Sequence, residues 1–276
     1  MRPRVVYVTD FDYPAKGRDY GAEDRWLTAR LEPEFEVVTC PPAEVTGLMG
    51  GCDAVVVRNS GPVLHHREVY EEYTDRARRE RIRVYNPLSG KADMAGKGYL
   101  VELTAAGYPV IPTAEAGWDG LPEVPEYVVK PVQGADSIGM AVLPAAELER
   151  AELAGMLVQP KVDFAYEVSF YFVDQECQYA LYAPDPAARW LLERYEPSEA
   201  DLAFAQRFVE WNGLPHGIQR VDACRTAAGE LLLVELEDLN PYLSLELLDE
   251  ETRERFVAAF TRSLHGLLAA PRPAAP

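Results

Sequence analysis

Along residues 1–88 the apolar positions fall into two alternating rhythms. Short continuous runs, "RVVYVT", "FEVVT", "DAVVVR" and "IRVYN", are separated by "AEDRWLTARL" and by a segment with Val69, Tyr73 and Ala77 at helical spacing. This β-α-β order predicts a parallel sheet with helices on its faces and ligands gathered where loops leave the C-terminal strand ends. The loops at those ends are "TDFDYPAKGRDYG" and "RNSGPVLHH". Each has the plainer reading of a surface connection.

Beyond "YNPLSG" the rhythm changes. "ADMAGKGYLVELTAAG" puts Leu100, Leu103 and Ala106 on one helical face and stops at Gly107. "YPVIPT", "YVVK", "IGMAVL" and "MLVQP" follow as short strands, with a helix expected from Ala145 to about Ala154, so residues 89–160 read as a small α+β lobe. From "YEVSFYFV" the strands lengthen and alternate. Val168, Phe170 and Phe172 take one face, and Glu167, Ser169 and Tyr171 take the other, which is wet or carries a ligand. Ser198 with Asp201 forms a capping box for a helix ending at "WNG", and a last helix buries Phe256, Phe260, Leu264 and Leu267. Residues 161–268 make a third lobe, and residues 269–276 are expected to be a flexible tail.

The chain has 276 residues and a net charge of -18, with 45 acidic and 27 basic residues. Such a balance repels nucleic acid and anionic membrane surfaces and leaves a small ligand or a metal-bridged anion as the expected partner. The four cysteines, Cys40, Cys52, Cys177 and Cys224, form no C-x-x-C pair, which predicts reduced thiols and a cytoplasmic location. Asp10 and Asp12 interrupt the first apolar run before it makes a signal segment, and no stretch approaches the ~20 apolar residues of a membrane span. His65, His66, His216 and His265 have no metal-ligand spacing. The oligomeric state is not legible, and a homodimer stays open.

The chemistry concentrates in "GIQRVDACRTAAGELLLVELEDLNP", two strands joined by a turn at Ala228 and Gly229. Side chains alternate along a strand, so Arg220 and Asp222 share one face of the first, and Glu235 and Glu237 share one face of the second. A register pairing 222 with 235 also pairs 220 with 237. Three carboxylates gathered in this way repel unless a cation sits among them or one takes up a proton, which points to a hard divalent ion with phosphate oxygens. The alternative is a solvated acidic strand balanced by Arg220. Lys130 ends a β-branched run beside the loop "PVQGADS", as a phosphate-binding point charge would, although Gly134 and Gly139 also suit a plain hairpin. No P-loop and no G-x-G-x-x-G follows a strand. Arg58 ends "DAVVVR" and, with Asn59 and Ser60, is expected at a strand's C-terminal edge holding a substrate carboxylate, the alternative being an ion pair with a loop acid such as Asp10 or Asp12.

From about residue 88 to 268 the chain resembles the ATP-grasp superfamily, most closely its peptide-ligase, glutathione-synthetase and D-alanine ligase-like branch. The resemblance lies in the order "GKGYLVELTAAGYPVIPT", "YVVKPVQGADSIGM", "MLVQPKVDFAYEVSFYFV", "GIQRVDA" and "LLLVELEDLNP". It implies an ATP-grasp fold, α/β and α+β, behind an N-terminal Rossmann-like lobe over residues 1–88. It also implies ATP and Mg²⁺ as cofactors, with Lys97 and Lys130 on the nucleotide phosphates and Gly134, Ser137 and Gly139 in the phosphate loop. Gln159 and the backbone of Lys161 and Val162 would meet adenine, and Glu167 the ribose. Asp222, Glu235 and Glu237 match the metal ligands and Arg220 the arginine beside the transferred phosphate. Where many members read E-x-N, this chain reads "VELEDLN", leaving Asn240 as an alternative third ligand. Arg189, in "PDPAARWLLERYEP" at the place of a mobile lid, would reach the phosphates. The implied activity is ATP-dependent joining of a carboxylate to an amine, both small and amino-acid-like, through an acyl phosphate. A small-molecule kinase and a nucleotide-binding regulator without turnover are the alternatives.

Overall fold

A computed structural model of the chain describes residues 1–13, 19–61, 63–134 and 138–272, with three sheets following one another in sequence. The first holds β1 (Arg4–Val8), β2 (Glu36–Cys40), β3 (Ala54–Val57) and β4 (Val84–Tyr85), all parallel, in the order β2-β1-β3-β4. The apolar runs of β1 and β3 are continuous because both faces are covered. Val5, Tyr7, Ala54 and Val56 pack against Leu27 and Leu31 of α1 (Tyr20–Leu31). On the opposite face Val6, Val8, Val55 and Val57 pack against α2 (Val45–Leu48) and α3 (Arg67–Glu80) through Val45, Tyr73 and Ala77.

The second sheet is antiparallel, β5 (Ala114–Glu115), β6 (Glu126–Pro131), β7 (Ala141–Pro144) and β8 (Met156–Pro160), in the order β5-β8-β6-β7. It departs from the periodicity in three places. The helical pattern before Gly107 forms only as α4 (Tyr99–Ala105), preceded by a 3-10 turn at Asp93–Ala95; Leu100 and Leu103 are buried, but Ala106 is exposed. "YPVIPT" makes one bridge, Val110 to Leu233, because Pro109 and Pro112 lack the N–H donors a ladder needs. The helix expected to reach Ala154 is only α5 (Ala145–Leu148); Leu148 and Leu153 are five residues apart, so the chain turns to bury both.

The third sheet is antiparallel, β9 (Phe164–Val173), β10 (Glu176–Ala183), β11 (Glu193–Tyr195), β12 (Ile218–Thr226) and β13 (Leu231–Glu237), in the order β11-β10-β9-β12-β13. Val168, Phe170 and Phe172 bury one face against Leu100 and Leu103 of α4 and against Ala205, Phe208 and Val209 of α6 (Glu199–Asn212). The capping box at Ser198 and Asp201 starts α6, and Gly213 ends it at φ 67°. The other face is divided. Tyr171, Val173 and Ile218 join Phe256, Phe260 and Leu264 of α7 (Glu250–Ala269), which lies between this sheet and the first. Further along the same face stand the charged residues of the site.

Arg58 does not emerge at the sheet edge as expected. It is 1% exposed, donates from Nη2 to the Pro241 carbonyl, and has no partner for Nε among the described residues. Its countercharges come from α1, not from Asp10 or Asp12. Asp24 accepts from Tyr7 Oη at 2.5 Å, from Asn59 Nδ2 at 2.5 Å and from Thr9 Oγ1, while Glu23 accepts from the N–H groups of Leu243 and Leu245 at 3.3 and 2.9 Å. A cation so enclosed is retained because the Asp24 carboxyl is enclosed near it.

Burial pushes the Glu23 carboxyl up from 4.5 to about 8, against the Leu245 N–H and the Arg58 charge. Between those two values the folded chain holds a proton that the unfolded chain has lost. This contribution is therefore complete below pH 4.5 and fades as pH rises through 8, at roughly 1.4 kcal/mol per unit of pKa difference. Urea unfolding of Glu23→Gln at pH 5 and pH 8.5 should show a smaller loss of stability between the two than the parent shows. Equal losses would assign the pH dependence to other groups.

Candidate active site

The charged end of the third sheet is the floor of a cleft of about 520 Å³, walled by the loops after β3, the start of α3, the turn at residues 93–97 and the strand end at residues 132–134. The register is the one parity requires: Arg220 pairs with Glu237 and Asp222 with Glu235, followed by a bulge. Arg220 grips Asp222 through Nε and Nη2, at 2.9 and 2.8 Å, and bonds Glu237 from Nη2 at 2.6 Å. Its Nη1 donates to the Tyr242 carbonyl at 3.1 Å, and Ser169 Oγ donates to Asp222 at 2.6 Å. One guanidinium therefore holds two of the three carboxylates apart.

Lys97 holds the third. Its Nζ bonds Glu235 and also Asp93 Oδ2, at 2.6 Å. Asp93 brings a fourth carboxyl that strand parity does not reveal, although its i,i+4 spacing to Lys97 in "DMAGK" is a readable signal. Burial and the Glu235 charge hold Asp93 well above the usual carboxylate range. Burial opposes ionisation of Glu235 too, but Lys97, the hydrogen bond with Asp93 and the Lys130 charge hold it well below. The two carboxyls are thus driven in opposite directions, and both face Lys97. Glu237 is pushed up by burial, with Arg220 opposing and Asp222 and Glu235 adding, to about 7.

The backbone carries Lys97 into place. Its N–H donates to the Val132 carbonyl at 2.8 Å, so the 93–97 turn docks on the strand end next to Lys130. Gly96 there has φ 94°, and a Cβ on it would lie 2.4 Å from Gln133 Nε2. The positive φ is what calls for glycine, since the Gln133 amide is the movable end of a flexible side chain. Asp238 was not singled out in sequence. Fully buried, it accepts from the N–H groups of Ala92 and Met94 and from Asn212 Nδ2, which ties the same turn to the end of β13 and to α6.

Lys130 is half-buried and has no hydrogen bond or ion pair among the described residues. Burial lowers its pKa, with Lys97 and Arg189 adding to this and Glu235 and Asp93 opposing. It is a partly desolvated ammonium with no hydrogen-bonded anion among the described residues. Gly134 lines the cleft and Gly139 has φ 75°, while Ser137 lies outside the described residues. Glu167, pushed up by burial, is paired with Arg189, so Arg189 bonds a carboxylate here and does not line the cleft.

Other expected residues are otherwise engaged. Gln159 is buried and donates to Thr113 Oγ1 at 2.8 Å, which turns its side chain into the small sheet. The Lys161 N–H bonds the Glu126 carbonyl at 3.0 Å and its side chain pairs with Glu126, while Val162 is half-buried between β8 and β9. Asn240 lines the cleft with Glu235 and Glu237 and donates from Nδ2 to Ser60 Oγ at 2.7 Å, which closes the loop after β3 onto the end of β13. Asn59 lines the cleft, but its amide is spent on Asp24 and the Tyr20 carbonyl. Among the described residues no three His, Cys, Asp or Glu side chains are arranged to hold a metal ion by themselves, because Arg220 stands between Asp222 and Glu237 and Lys97 occupies Glu235.

No protein-family model and no curated protein matches the chain. Solved structures do. It is similar to D-cycloserine synthetase DcsG, at 22% identity and a TM-score of 0.72 over 95% of this chain and 99% of that one. It is also similar to the ATP-grasp ligase PsnB complexed with a minimal precursor, at 18% identity and a TM-score of 0.61 over 97% and 99% of the two chains. For D-alanine–D-alanine ligase from Bacillus anthracis complexed with ATP, the values are 14% and 0.62, over 96% of each chain. At such identities the likeness is one of architecture, carried over nearly the whole of each chain, and by it this protein has the ATP-grasp fold.

Proposed function

We propose that the protein is an ATP- and magnesium-dependent carboxylate–amine ligase that joins small amino-acid-like molecules through an acyl phosphate. The observation that carries the reading is Lys130, a partly desolvated ammonium with no partner among the described residues, beside the cleft that holds Lys97 and Arg220. Burial of a cation without a hydrogen-bonded anion is costly, and a phosphate supplies such a partner. The likeness to three ligases supports the same reading. In this scheme residues 1–88 form the substrate lobe, residues 89–160 the lobe that covers the phosphates and residues 161–268 the lobe that carries the metal ligands.

The donor set fits a hard cation. Magnesium takes one or two carboxylates and completes its shell with water and phosphate oxygens, so a closed protein cage is not required. Asp222, Glu235 and Glu237 share one face, where burial first and then the neighbouring carboxylates raise Glu237 against the Arg220 charge, and a cation among them would favour the ionised form. When bound, magnesium supplies charge neutralisation on the transferring phosphoryl group. The residues of the chain do the rest. Lys97 and Lys130 hold phosphate oxygens, and Arg220 faces the group in flight and stabilises charge that grows in the transition state. Glu167 receives the ribose hydroxyls once Arg189 releases it. The reaction is read as a cytoplasmic one.

Hydroxylamine tests the reading. With ATP, magnesium and the acid substrate, found by screening amino-acid pairs for phosphate release, a hydroxamate should form. Phosphorylated product without hydroxamate or free phosphate would identify a kinase. Lys130→Ala should keep the fold and lose most of the rise in melting temperature that ATP with magnesium gives the parent. Equal stabilisation of parent and variant would make Lys130 a surface lysine.

A further inference from the structure

The first turn of α3 faces the cleft with charges that the proposed chemistry does not use. α3 twice carries an arginine followed four residues later by a glutamate, Arg67 with Glu71 and Arg76 with Glu80. Opposite charges at this spacing are neighbours on a helix and ordinarily pair. Arg76 and Glu80 do, at 2.9 Å. Arg67 and Glu71 do not: neither side chain has a hydrogen bond or ion pair among the described residues, and both line the cleft. Tyr70, on the same helical face, lines it between them. The sequence offers the same pairing twice in one helix, and the copy that closes is the one away from the cleft.

We infer that Arg67 and Glu71 anchor the amino-acid head of one of the two molecules joined, with its α-carboxylate on Arg67 and its α-ammonium on Glu71. This rests on the ligase reading for the chemistry at the far end of the cleft. The Cβ atoms of residues four apart on a helix are about 5–6 Å from each other. An α-amino acid carries its two charges on neighbouring atoms, so side chains converging from that separation reach both. A guanidinium takes a carboxylate with two parallel hydrogen bonds, and a carboxylate accepts from an ammonium. In a chain of net charge -18, an unpaired arginine in a cleft wall is a specific attractor for an anion. Anchoring at the head has a consequence for the reaction. The α-groups are held on α3, so the group that reacts lies on the side chain of that molecule and points toward Lys97 and Arg220 on the cleft floor.

The test measures binding and turnover separately. The probes are L- and D-aspartate, glutamate, 2,4-diaminobutyrate and ornithine, each beside its N-acetyl and its α-amide derivative, titrated by calorimetry into the parent, Arg67→Gln and Glu71→Gln. At least one free amino acid should bind the parent, with either blocked form at least ten-fold weaker. Glu71→Gln should erase the preference for the free ammonium and keep that for the carboxylate, and Arg67→Gln should do the reverse. Both variants should keep the parental stabilisation by ATP with magnesium. Retention of both preferences in either variant, or no binding of any probe to the parent, overturns the head site. Phosphate release by the parent with an amino-acid pair, unchanged in KM in both variants, overturns the head site while the ligase reading stands. Head preferences lost as expected, with no phosphate release from any pair, uphold the head site and remove the ligase reading.

Discussion

Arg58→Met should cost the protein roughly 3–5 kcal/mol, the range for breaking a buried charge arrangement by removing one partner. Methionine fills much of the same space, so the loss is electrostatic. Without the guanidinium, Asp24 keeps its three side-chain donors but loses the nearby cation, and the Pro241 carbonyl loses its donor. Urea unfolding at pH 7 measures the effect, and a loss below about 1 kcal/mol would mean that the arginine is not the counterion of α1. The triple change Arg58→Met, Glu23→Gln and Asp24→Asn should recover part of the loss, because neutral partners need no cation. A KM defect without a stability defect would return Arg58 to substrate binding.

The second large effect is on turnover. Glu235→Gln should lower kcat by about 10²–10³-fold, the scale on which enzymes lose rate when one preorganised electrostatic group is removed, and should weaken the magnesium dependence of ATP-induced stabilisation. The fold should survive. Asp93 already shares Lys97 with Glu235, so with an amide at 235 Lys97 keeps Asp93 as its carboxyl partner. Thermal melting without ligand should therefore change little while single-turnover phosphate release falls. Parental activity in Glu235→Gln would remove the metal assignment. Unfolding of the variant would show instead that the Glu235 charge belongs to the scaffold.

The order of the three sheets and the face carrying Arg220, Asp222, Glu235 and Glu237 were legible from local pattern. In an extended strand each side chain's face follows from parity, and the tight turn at Gly229 sets the register between two consecutive strands. Helix ends at Ser198 and Gly213 were legible for a similar reason, since caps are satisfied within a few residues. What the sequence by itself did not determine is where charges find partners across long stretches of chain. Arg58 reads as the polar end of a strand, yet residues 241–245 fold over it, so it is enclosed with Glu23 and Asp24 of α1. Asn240 reads as an alternative metal ligand beside Glu237, and the bond from its Nδ2 to the loop after β3 is not legible in the sequence. Lys97 and Glu235 are 138 residues apart, and their pairing exists only because the turn before α4 docks on β6 and β13 together. Parity and periodicity act over a few residues and decide which face a side chain takes. Which charge it meets there depends on how sheets pack, and only the tertiary structure decides that.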